Sequence, residues 1–191
     1  GLANDFIGSK RVEAKQCWID FFQYHTSQEF YNEVLTIFNE TRWIKDEKVK
    51  VRHTEGDAKI VTDTQFVIHQ PTTGTTRSTH IDNPLEIYAG LLYMRQRGDN
   101  AKGGDFVIYD APEINKVVAK TGREIPKDIE KKEHKKITYK ENTFVMFLNT
   151  NKSVHGVTPR ENALHDRLSI NIIAEAEKKL GPLFKLNEIV Q

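Results

Sequence analysis

The groups able to do chemistry in this chain fall in three short stretches: His80-Ile81-Asp82, then His155, then Arg167-Leu168-Ser169. Alternate side chains of an extended segment leave on the same side, so His80 and Asp82 can converge on one ion. A His-x-Asp tripeptide alone arises often by chance, and the order of the groups that follow carries more. Two imidazoles and one carboxylate on one face of a metal leave adjacent coordination positions open. That suits a non-haem iron(II) that must bind a co-substrate and dioxygen together. Arg167 and Ser169 also project together from a strand, and a guanidinium offers a planar fork to a carboxylate while the hydroxyl adds a further hydrogen bond. The pattern is an anion site beside a metal site.

These residues need a frame, and the hydrophobic pattern describes one. From Ser9 to about Arg42, Val12, Cys17, Ile19 and Phe22, then Phe30, Val34, Leu35 and Phe38, recur at helical intervals and predict two helices, with Ser27 a cap before the second. After a polar, Lys-rich connection come short β-type runs at Phe66–His69, Ile87–Met94, Phe106–Tyr109, Thr143–Leu148 and Leu168–Ala174. Short strands without regularly intervening helices predict an all-β core with N-terminal helices, built as an antiparallel barrel or jelly roll. The expected organisation is one catalytic domain over residues 1–191, with a helical buttress at 1–45 and a β core at 60–175 interrupted by a charged insert at 112–138. Within that insert, the run Lys131-Lys132-Glu133-His134-Lys135-Lys136 reads as a solvated loop or exposed helix, or as a mobile lid over the site.

Composition narrows the class. A chain of 191 residues has room for one sizeable core. Its 28 basic and 27 acidic residues nearly cancel, so no net field favours nucleic acid or an anionic membrane. The lone Cys17 forms no internal disulfide, and no apolar run reaches the length of a membrane span. With Lys10, Arg11, Glu13 and Lys15 interrupting any apolar signal core, the expectation is an intracellular, cytoplasmic protein. His25, His53, His134 and His165 read as ordinary surface or helical histidines, whereas His69 ends a strand and is open to either reading. No heptad or interface patch specifies an oligomeric state.

The order His80-x-Asp82, His155, Arg167-x-Ser169 resembles the 2-oxoglutarate and iron(II)-dependent oxygenases, in particular their prolyl-hydroxylase-like branch. His80-Ile81-Asp82-Asn83-Pro84 is similar to that branch's metal-binding stretch, and Leu91-Leu92-Tyr93-Met94 resembles the strand after it. Gly103-Gly104-Asp105-Phe106 resembles a Gly-Gly-Glu-Leu turn with Asp in place of Glu, and Phe144–Phe147 the apolar strand ahead of the distal histidine. The likeness spans residues 77–174. It implies a double-stranded β-helix, cupin-like and buttressed by helices, with iron(II) on His80, Asp82 and His155. The co-substrates would be 2-oxoglutarate and dioxygen, with ascorbate a candidate auxiliary. The far carboxylate of 2-oxoglutarate would meet Arg167, Ser169 and Tyr93, with Arg160 as the rival anchor. The implied reaction is hydroxylation of a prolyl or other amino-acid side chain in a protein, peptide or small molecule, and Asp82 argues against halide transfer. Thr79, Asn83 and Ser153 are candidate supports for the histidines. Arg77, Arg95, Arg97 and the insert are candidates to face the substrate. Two other readings use the same ligands: a non-catalytic cupin-like metal-binding domain, which has no need of Arg167 and Ser169, and a zinc hydrolase, for which no motif supplies a general base.

Overall fold

A computed structural model describes residues 14–41, 47–52, 57–71, 77–111 and 123–183. His53, residues 9–13 and 112–122, and the end of the expected second helix at Arg42 lie outside the described residues. The elements are α1 (Gln16–His25), α2 (Gln28–Ile37), β1 (Val49–Val51), β2 (Ile60–His69), β3 (Glu86–Tyr93), β4 (Phe106–Asp110), β5 (Lys132–Ile137), β6 (Thr143–Leu148), β7 (His155–Val157) and β8 (Arg167–Ala176). Five strands form one sheet in the order β1-β2-β8-β3-β6, and three form a second in the order β5-β4-β7. The two antiparallel-rich layers make a jelly roll, the double-stranded β-helix, as the strand pattern predicts.

The larger sheet has two working faces because β8 alternates strictly. Leu168, Ile170, Ile172 and Ala174 face the helices, while Arg167, Ser169, Asn171 and Ile173 face the second sheet and line a cavity there. On the helix side, Phe30, Tyr31, Val34 and Leu35 of α2 pack with Ile60, Tyr88, Ile170 and Ile172 into the main core. Trp18 and Phe22 of α1 meet Phe66 edge-on, each with ring centroids 5.2 Å apart. Ser27 caps α2, its hydroxyl accepting from the Phe30 amide at 3.1 Å. The helices thus clamp β2 and β8, whose ten-residue register runs from Ile60 opposite Ala176 to His69 opposite Arg167.

Two elements differ from the sequence expectation. The Lys-rich run is neither loop nor helix: residues 132–137 form β5, an edge strand paired with β4 whose first five side chains are all exposed. Charge along an edge keeps a strand from pairing with other chains, so polarity here marks position in a sheet rather than absence of one. β2 begins at Ile60, six residues before the apolar run at Phe66, and two of its buried polar residues have partners. Thr62 donates to the Thr26 carbonyl at 2.8 Å, and Asp63 is paired with Arg52 at 2.7 Å. Among the described residues, no helix is long and apolar enough to cross a membrane.

Candidate active site

The second sheet assembles the His-x-Asp and distal-His groups through the backbone. His80 and His155 form an isolated antiparallel bridge in which each amide donates to the other's carbonyl, at 2.8 and 3.0 Å. Residues paired this way present adjacent side chains on one face, and the two rings lie 4.4 Å apart. Asp82, two residues along, shares that face. Gly156, next to His155, lets the strands close: a Cβ there would sit 3.2 Å from the Thr79 Cα. On its other side the His80 segment is bridged to Glu124, with Ile81 donating to the Arg123 carbonyl and Ile125 to that of Thr79.

Hydrogen bonding fixes both imidazoles in one tautomer. Nδ1 of His80 lies 2.7 Å from the Ser78 carbonyl and Nδ1 of His155 lies 2.8 Å from the Ser153 carbonyl. A carbonyl only accepts, so both Nδ1 atoms carry the proton and both Nε2 atoms keep a lone pair. The supports are therefore backbone carbonyls, not the side chains of Thr79, Asn83 or Ser153. Those lone pairs point at one carboxylate, with His80 Nε2 3.2 Å from one Asp82 oxygen and His155 Nε2 3.4 Å from the other. All three ligand atoms fall within 4.8 Å of one another. Burial pushes His155 down to about 4, so its ring is neutral at physiological pH. Burial works to raise Asp82, but the adjoining His80 and His155 and the nearby Arg77 outweigh it and hold the carboxylate below its ordinary range. Three electron-rich atoms facing one point are mutually repulsive until a cation sits among them, and the donor set is the facial pair of imidazoles and carboxylate that suits iron(II).

The same cavity, about 320 Å³, runs from these ligands to β8. Arg167 is 2 % exposed. Its Nε donates to the Gly104 carbonyl at 3.0 Å, and its guanidinium carbon lies 4.9 Å from the ring centroids of both Tyr93 and Tyr139. Its Nη2 has no partner, nor have the Tyr93 and Ser169 hydroxyls, Nδ1 of His69 or the side-chain Oδ1 of Asn171, all of them buried. Burial pushes the Tyr93 phenol up to about 12 against the pull of Arg167, so it stays a proton donor. Buried polar atoms are nearly always satisfied. The Tyr93 and Ser169 hydroxyls, unsatisfied donors beside an unpaired cation in a cavity wall, fit the carboxylate of a bound dianion.

The structure separates the two arginines. Arg160, fully buried, gives Nη2 to both oxygens of Asp99 at 3.0 and 3.2 Å and Nη1 to the His165 carbonyl at 2.9 Å. It lies outside the cavity wall, where Arg167 stands. Of the expected substrate-facing residues, Arg77 lines the cavity. Arg95 instead donates to the Tyr139 and Ala101 carbonyls and approaches Asp99, and Arg97 is exposed in a turn away from the cavity. Sequence reasoning missed Tyr139, Glu86 and Arg123. Glu86 carries a readable signal, as an acid opening an otherwise apolar β3, four residues after Asp82. Tyr139 and Arg123 carry none, because only the fold brings them to the site.

The family model of the 2OG-Fe(II) oxygenase superfamily matches residues 64–174, more than half of the chain, and the chain belongs to that superfamily. A comparison with curated proteins returns no match. Iron(II), 2-oxoglutarate and dioxygen are the cofactor and co-substrates of this superfamily, and His80, Asp82 and His155 form the candidate iron triad.

Proposed function

We propose that the chain is a single-domain dioxygenase that hydroxylates an unactivated C–H bond of a prolyl or other amino-acid side chain, converting 2-oxoglutarate to succinate and carbon dioxide. His80, Asp82 and His155 hold the metal. Arg167, Ser169 and Tyr93 hold the far carboxylate of 2-oxoglutarate. The observation that carries the reading is one cavity with converging imidazole and carboxylate lone pairs at one end and an unpaired buried guanidinium at the other. Iron(II), when bound, supplies the redox chemistry that couples oxidative decarboxylation of the co-substrate to oxidation of the substrate C–H bond.

The residues contribute position and exclusion. The Ser78 and Ser153 carbonyls hold each imidazole in the ligating tautomer, so no proton must leave the rings when metal binds. Phe106, Phe147, Leu91 and Val157 line the cavity between the triad and Arg167 and keep water from the reacting centre. Tyr139 holds the start of β8, its hydroxyl accepting from the Leu168 amide at 2.9 Å, and thereby fixes Arg167.

Iron(II) and then 2-oxoglutarate, added anaerobically to the metal-free protein, test the reading through the visible charge-transfer band of the chelate. A band that weakens sharply in Arg167→Ala is the expected result. Bound iron without a band would sink the oxygenase reading in favour of a metal-binding or hydrolytic domain.

A further inference from the structure

Apart from the triad and Arg167, the charged side chains in the cavity wall are Glu86, Arg123 and Arg77. Arg77 is engaged, meeting Glu124 at 3.2 Å and donating to His80 Nε2 at 3.3 Å. The acids near Glu86 are also accounted for. Arg52 binds Asp63 at 2.7 Å and Glu175 at 2.9 Å, and Asp82 belongs to the triad. The Glu86 carboxyl meets the Asn83 backbone amide, and neither it nor Arg123 has a side-chain partner among the described residues. Arg123 acts on Glu86 electrostatically without forming an ion pair with it. Burial and the neighbouring Asp82 keep the Glu86 carboxyl from ionising until a cation meets it, and across the same cavity the exposed Arg123 guanidinium is open to an anion, so the two ends of the space suit opposite charges.

We infer that Glu86 and Arg123 recognise the prime substrate as a free α-amino acid, its ammonium on Glu86 and its carboxylate on Arg123. This rests on the oxygenase reading above and narrows it from any amino-acid side chain to that of a zwitterion. A cavity of about 320 Å³ that also takes the co-substrate admits one residue at a time. Glu86 lies on β3 close enough to Asp82 to feel its charge. An amino acid anchored there by its ammonium would hold its own side chain near the triad. Glu86 and Arg123 are specificity-determining residues in this scheme and take no part in the bond chemistry.

The test is anaerobic titration calorimetry of the iron(II)–2-oxoglutarate complex with the twenty proteinogenic amino acids, their N-acetyl derivatives and their methyl esters. At least one free amino acid is expected to bind, with affinity falling about tenfold or more on acetylation, on esterification, and in Glu86→Gln or Arg123→Gln. The charge-transfer band is expected to persist in both variants. It reports separately on the metal and co-substrate: a missing band in the parent refutes the oxygenase reading itself. With the band present, an absence of amino-acid binding, equal binding of acetylated forms, or unchanged affinity in Glu86→Gln each overturns the zwitterion assignment alone.

Discussion

Arg160 and Arg167 stand seven positions apart, both 2 % exposed or less, and replacing each by methionine is expected to have opposite consequences. In Arg160→Met, Asp99 loses the two bonds that neutralise it inside the protein. Breaking one half of a buried pair costs about 3–5 kcal/mol. Arg95, 3.4 Å from Asp99, retains some compensation, so the low end, about 3 kcal/mol, is expected. Arg167→Met removes one bond to Gly104 and two ring contacts, but it also removes a buried cation that no carboxylate pairs with among the described residues. These effects oppose one another at about 1–2 kcal/mol each, leaving net stability within about 1 kcal/mol of the parent. Its cost falls on 2-oxoglutarate instead: losing a charge-assisted fork worth about 3 kcal/mol weakens binding roughly a hundredfold. Urea unfolding reads the first quantity and anaerobic titration of the iron-loaded protein the second. The reasoning fails if Arg167→Met is the more destabilised variant, or if its 2-oxoglutarate affinity changes by less than about threefold.

In the metal-free protein, pH acts on two cavity groups in opposite directions. His155 falls from 6.5 to about 4 on folding, so its contribution is present above 6.5 and is lost as pH falls toward 4, whereas Glu86 rises from 4.5 to about 8, so its contribution is present below 4.5 and is lost as pH rises toward 8. Each amounts to about 2 kcal/mol between pH 5 and 7, and they largely cancel in the parent. Urea midpoints should show Glu86→Gln gaining on the parent from pH 5 to 7 and His155→Gln losing on it; parallel profiles for all three proteins would refute both assignments. Gly103→Ala should be destabilised by at least about 2 kcal/mol, because φ there is +72° and the new Cβ would lie 1.8 Å from the Pro159 carbonyl oxygen. Gly98→Ala, at φ +87° with open space around it, pays only the backbone strain, and a thermal melt ranks the two. Asp82→Ala should weaken iron(II) binding by at least about a hundredfold in a competitive chelator titration while the fold persists by circular dichroism. Arg97→Ala, exposed and away from the cavity, should leave substrate turnover unchanged.

The site's principal residues were legible because strands impose a period of two: His80 with Asp82, and Arg167 with Ser169, share a face in sequence as in space. The jelly roll was legible from the short β-type runs without intervening helices at β3, β6 and β8, of which β8 alternates. β5 was hidden, because its side chains face water and only pairing with β4 makes it a strand. β7 was hidden by brevity, with three residues too few to show a period. The choice between Arg160 and Arg167 rests on Asp99, sixty-one positions from Arg160, which no local pattern links to it. Tyr139 and Arg123 were invisible for the same reason.

The two faces of β8 explain how the fold tolerates its own site. Its inner face carries Arg167, Ser169 and Asn171, each with a buried polar atom that lacks a partner, so that face weakens the folded state before any ligand arrives. Its outer face buries Ile170, Ile172 and Ala174 almost completely against the helix-side core, and each fully buried isoleucine contributes about 1.5–3 kcal/mol. The N-terminal helices therefore stabilise the strand whose other face carries these unsatisfied atoms. β8 is also held along both edges, by β2 and β3, so helices and sheet together fix the strand that carries Arg167 into the cavity wall.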